Sequence, residues 1–62
     1  MTDLDKAFKL LDAYNNPQTR EDMKDKVVEN LYKMGYIIRP AAGSWGLVDK
    51  VTRLPVKRPG QS

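Results

Sequence analysis

Sixty-two residues lie near the low end of domain size, where folding buries only about 60% of the surface the unfolded chain exposes. The chain has no cysteine and no histidine, which excludes disulfides, leaves no ordinary zinc ligand set and removes both the thiolate nucleophile and the usual general base near neutral pH. Its net charge of +3 is uneven: residues 1–38 carry six Lys/Arg against seven Asp/Glu, net −1, whereas residues 39–62 carry five against Asp49 alone, net +4. A near-neutral half followed by a basic half suggests contact with nucleic acid, an anionic surface or an acidic protein.

In chain order, Leu4, Ala7, Phe8, Leu11 and Tyr14 recur at helical spacing and predict a first helix over about 3–14. Thr2 is the expected N-cap with Asp5 three residues later, and Asn15-Asn16-Pro17 the stop, because proline disfavours helical geometry in the residue before it. The second helix has two candidate starts, Pro17 capped by Asn16 or Arg20 capped by Thr19, with Glu21 and Asp22 favouring its positive end. Its expected apolar face is Met23, Val27, Leu31 and Met34, with Val28 at the margin, and Gly35 offers a left-handed stop after which Tyr36 folds back on Leu31.

Beyond Gly35, Tyr36-Ile37-Ile38-Arg39 predicts a short strand, Pro40 to Ser44 a loop, and Trp45 to Thr52 a second strand in which Leu47 and Val51 share a face. The two strands are expected to pair as an antiparallel hairpin. Pro55, Pro59 and Gly60 break regular structure, so Leu54 to Ser62 reads as extended or disordered. The fold class expected is therefore α+β: two helices, an antiparallel β-hairpin and a disordered basic C-terminal tail, with 1–54 forming one small domain and 55–62 the flexible tail.

Chemistry-bearing patterns are few. Gly43-Ser44-Trp45-Gly46 superficially matches a serine nucleophile elbow, but an alanine occupies the position of that motif's first glycine and no histidine exists to activate Ser44. Glu21, Asp22 and Asp25 stand at a helix start, where carboxylates stabilise the terminus without any metal. No catalytic residue, metal ligand or cofactor is expected, and the chain is read as a non-enzyme. No apolar run approaches the roughly 18 residues of a membrane span and the first residues lack the pattern of a signal peptide, so a cytoplasmic protein is expected.

Arg39, Lys50, Arg53, Lys57 and Arg58 form the one sizeable cluster of a single sign, read either as phosphate contacts or as charges that keep a hairpin edge soluble. Trp45, beside Gly43 and Gly46, is either core or, together with Tyr36, an exposed contact for a partner.

Val27 to Pro40, followed by Gly43, Gly46 and Leu47 to Thr52, resembles the end of a winged-helix DNA-binding domain: a helix ending in leucine and glycine, an apolar strand, a Gly-containing wing and a returning strand. The resemblance spans residues 27–52 and implies a winged-helix-like fold and DNA as ligand. Pro17 to Met34 is short for two helices and a turn, and Glu21, Asp22, Asp25 and Glu29 suit a phosphate-lined groove poorly, so the wing and tail are the expected contacts. The function expected first is a small regulatory protein that binds nucleic acid through Arg39, Lys50, Arg53, Lys57 and Arg58. The alternative is an inhibitor or adaptor of one acidic protein partner. With so small a core, homodimerisation is a further expectation.

Overall fold

A computed structural model of the chain describes residues 2–58 and 60. Two helices, α1 (Asp3–Asn15) and α2 (Glu21–Met34), are followed by the antiparallel strands β1 (Tyr36–Ala41) and β2 (Ser44–Asp49), the α+β arrangement expected.

Helix α1 begins as its sequence predicts. The Thr2 hydroxyl accepts from the Asp5 amide at 3.2 Å while the Asp5 carboxylate accepts from the Thr2 amide at 3.1 Å, a reciprocal capping box. Asn16 takes an extended backbone, φ −74° and ψ 121°, as the residue before Pro17 must. Helix α2 differs from both expected starts. Thr19 does not cap it; its hydroxyl donates at 2.6 Å to the Ala13 carbonyl in the last turn of α1, which also accepts from the Asn16 amide. Asn16 instead holds the linker by accepting from the Gln18 amide, and α2 starts at Glu21 after an Arg20 that makes no side-chain cap. At its far end Gly35 adopts φ 100° and donates to Leu31 and Tyr32, the left-handed stop expected.

The core is Ala7, Phe8 and Leu11 of α1, Val27 and Leu31 of α2, and Leu47 of β2, with Leu4, Tyr14, Met34, Tyr36, Ile38 and Val56 packed around it. Helix α1 lies against α2 and β2, and α2 against β1, so both helices cover one face of the hairpin. Met23 is 49% exposed and does not belong to the core. It sits in the first turn of α2, the end remote along the chain from the hairpin that closes over Leu31.

Both strands run closer to the turn than predicted, leaving a loop of only Ala42 and Gly43 between the closing partners Ala41 and Ser44. Both loop residues have positive φ, 46° and 82°, the geometry that matches hairpin twist. Strand β2, in turn, ends at Asp49 rather than Thr52. The Asp49 carboxylate accepts from the amides of Val51 (2.8 Å) and Thr52 (3.0 Å), its carbonyl accepts from Arg53, and the chain turns. Val51 therefore does not share a face with Leu47; it stands 83% exposed at the turn.

After the turn the chain returns along β2. The Asp49 amide donates to Leu54, Val56 donates to Leu47, and Pro55 bridges Val48. Arg58 then reaches Asp12 of α1 through both guanidinium nitrogens, at 2.6 and 3.2 Å, with its guanidinium 4.8 Å from the centre of the Phe8 ring. The flexible stretch expected from residue 55 onward is thus held as far as Arg58, because β2 presents backbone groups that 54–56 satisfy and α1 presents a carboxylate. Of the remaining expected tail, Pro59, Gln61 and Ser62 lie outside the described residues.

Leu31 is fully buried, so Leu31→Ala is expected to cost about 2–5 kcal/mol and abolish the cooperative melt of so small a chain, whereas Met23→Ala leaves it within about 0.5 kcal/mol of wild type. Urea titrations followed by circular dichroism measure both. Ala42 carries a left-handed backbone that alanine disfavours, so Ala42→Asn is expected to raise stability by about 0.5–1 kcal/mol in the same assay.

Candidate binding surface on the outer face of the hairpin

Strand geometry sorts the side chains into two faces. The register pairs Tyr36 with Asp49, Ile38 with Leu47 and Pro40 with Trp45 on the side of the helices, and Ile37 with Val48, Arg39 with Gly46 and Ala41 with Ser44 on the other. The outer face is concave. A cavity of about 380 Å³ is lined by Arg39, Ala41, Gly46, Val48, Arg53 and Pro55, with Pro40, Leu47 and Val56 contributing at its sides.

Gly46 keeps this concavity open. A Cβ there would stand 3.1 Å from the Ala41 Cβ, so any larger residue has to push the strands apart or fill the hollow. Arg53 reaches the site because the Asp49 turn gives it φ 64°, a left-handed backbone uncommon outside glycine. Asp49 itself is held below the ordinary carboxylate value, first by the Thr52 and then by the Val51 backbone N–H groups. Among the described residues, no carboxylate and no aromatic ring lines the cavity.

The five cations expected to act together are separated. Arg39 and Arg53 share the cavity. Lys57 is exposed beside it in sequence, on the returning segment. Lys50 lies elsewhere: its ammonium sits 4.3 Å from the centre of the Tyr32 ring and donates to the Tyr32 carbonyl at 3.4 Å, at the C-terminal end of α2 where a cation is favoured. Arg58 is committed to Asp12, and that hydrogen-bonded pairing raises its already high pKa.

The two aromatic candidates are on the helix side. Trp45 is 39% exposed and packs edge-on against Tyr14, ring centres 5.5 Å apart, so it is neither core nor free. Tyr36 is half-buried against the core. The Asn15 side chain clamps Trp45 by its backbone, accepting from the amide at 2.9 Å and donating to the carbonyl at 3.1 Å.

Sequence reasoning missed Asp12, Asn15, Asp49, Gly46 and Pro55. Asp49 had a local signal, an Asp two and three residues ahead of backbone amides in Lys-Val-Thr, the pattern of an Asx-type turn. Asn15 and Asp12 had none, since their partners are 30 and 46 residues away. Among the described residues no cluster of carboxylates is arranged to hold a metal ion, and no helix is long and apolar enough to cross a membrane. No family model, curated protein or solved structure matches this chain.

The Asp49 turn sets a pH response. A carboxylate with a depressed folded-state pKa stabilises the fold above its unfolded value and loses that contribution as pH falls through the folded value. The turn is therefore expected to stay closed down to the ordinary carboxylate range and open only below it, releasing Arg53 from the cavity. Amide shifts of Val51 and Thr52 followed by NMR from pH 6 to 2 check this, and Asp49→Asn should move them at every pH.

Proposed function

We propose that this chain is a small non-enzymatic binding protein that uses the outer face of its hairpin to recognise an acidic segment of a protein partner. One observation carries the reading: Arg39 and Arg53 line one cavity with apolar walls and, among the described residues, no carboxylate. Guanidinium groups make paired, charge-assisted hydrogen bonds to carboxylates, and an apolar floor beneath them suits the desolvated centre of a protein interface. The rest of the molecule is polarised to match, since the helices carry every acidic residue except Asp49, whose carboxylate is engaged by its own turn. The lack of histidine and cysteine supports a role in binding rather than catalysis.

Nucleic acid is the second reading, favoured by an exposed Lys57 that follows the cavity-lining Pro55 and Val56 in the chain and by the winged-helix-like order of helix, glycine and hairpin. Against its leading stand two features. Arg58 and Lys50 are engaged elsewhere in the fold, and among the described residues the cavity has no aromatic ring on which a base could stack.

One comparison separates the two. An alternating Glu-Val peptide is expected to shift the Arg39 and Arg53 side-chain resonances, and Arg39→Ala with Arg53→Ala should abolish the effect while moving the melting temperature little, because exposed charges contribute little stability. Duplex DNA is expected to bind weakly. If it instead binds tightly, with log affinity falling against log salt at a slope of about −2.7 for three phosphates and flattening when Arg39, Arg53 and Lys57 are replaced, the nucleic-acid reading takes the lead.

A further inference from the structure

The two edges of the hairpin are treated differently by the fold. In an antiparallel pair closed at Ala41 and Ser44, the backbone groups of Trp45, Leu47 and Asp49 point away from β1, and those of Tyr36, Ile38 and Pro40 point away from β2. On β2 all of these but the Leu47 amide are taken up among the described residues: Trp45 by the Asn15 side chain, the Leu47 carbonyl by Val56, the Asp49 amide by Leu54 and the Asp49 carbonyl by Arg53. On β1 the amide and carbonyl of Ile38, the carbonyl of Tyr36 and the carbonyl of Pro40 have no hydrogen-bond partner among the described residues. An open strand edge is a template for another strand. Proline at position 40 places its missing N–H on this outward side, which leaves the β1–β2 ladder intact and limits what can be added to the stretch centred on Ile38.

From this edge we infer that the acidic segment proposed above binds by strand addition to β1, running antiparallel to it, with an acidic residue opposite Arg39 and apolar residues opposite Ile38 and Ile37. The inference rests on the anionic-partner reading and specifies its geometry. Directly opposite residues share a face, so the residue facing Arg39 projects on the outer side, where Arg39 is exposed. The next residue falls opposite Ile38 on the side of the helices, where β1 is half-buried against the core, and an apolar side chain extends that cover. The one after it faces Ile37. Main-chain hydrogen bonds to Ile38 supply the attachment and these alternate side chains the selectivity, which makes the recognised class an extended segment reading acidic, apolar, apolar from its N-terminus. A lysine opposite Arg39 is selected against by like-charge repulsion.

The test uses the full chain and the blocked peptide Thr-Glu-Val-Ile-Thr. Binding is expected to slow hydrogen exchange at the Ile38 amide and to shift the Tyr36, Ile38 and Pro40 resonances. Exchange of Glu for Lys in the peptide should weaken binding about fivefold or more, and Arg39→Glu should restore the Lys peptide while rejecting the original. Chain made by chemical synthesis with the Ile38 nitrogen methylated keeps every β1–β2 hydrogen bond but loses the outward donor, so it should retain its circular-dichroism melt and lose the peptide. Shifts confined to Arg39, Arg53 and residues 46–56 would overturn strand addition and leave the anionic-partner reading standing. Absence of any shift with millimolar peptide would overturn both. Protection of the Ile38 amide that rises with protein concentration and without peptide would mean that a second copy occupies the edge, and would overturn the peptide assignment.

Discussion

Strand β2 is the element on which the rest of this small fold depends, because a central strand needs hydrogen-bond partners along both of its edges. One edge is met by β1. The other is met by pieces from opposite ends of the chain, the Asn15 side chain and the backbone of residues 54–56. An unpaired backbone group in a half-buried strand costs on the order of 1–3 kcal/mol, a large fraction of the margin available to a chain of this size. Satisfying β2 therefore decides where the last residue of α1 stands and why the segment after the turn lies along the sheet. Leu47, buried between these supports and the helices, joins the hairpin to the core.

The same arrangement reassigns the charges. The chain segment that pairs with β2 carries Arg58 onward to Asp12 and Phe8, so a cation that looks available in the linear sequence becomes a tie between the C-terminal segment and α1. Both partners are substantially exposed, and such a pair contributes little to stability. Its larger effect is on function, since it withdraws one charge from the basic cluster while the Asp49 turn delivers another, Arg53, to the cavity facing Arg39. The asymmetry of the sheet follows as well. The groups that shield the edges of the hairpin are used on the β2 side, and among the described residues β1 keeps an open edge beside Arg39.

Much of the fold was legible locally. Thr2 and Asp5 form the capping box their spacing implies, the stripe of Leu4, Ala7, Phe8, Leu11 and Tyr14 faces the core, and Gly35 ends α2 in the left-handed conformation. Each of these depends on residues within about one or two helical turns of one another, which is why pattern alone sufficed. The reading failed where a distant group or a side-chain-to-backbone bond competed with periodicity. Thr19 serves α1 rather than α2, Met23 fits the apolar stripe but has nothing to cover it, and Val51 continues the alternation of a strand that Asp49 has already ended.

For the candidate site the division is sharper. Composition and order by themselves determined that this chain is a two-helix and hairpin α+β protein, with its positive charge concentrated in the second half and no side chain suited to thiol or imidazole chemistry. Tertiary structure alone decided which of those charges converge, because convergence is a matter of strand face and of turn geometry. Arg39 and Arg53 meet only once the register puts position 39 on the outer face and the Asp49 turn fixes position 53 beside it, while Lys50 and Arg58, equal to them in sequence, are drawn to a helix carbonyl and a helix carboxylate instead.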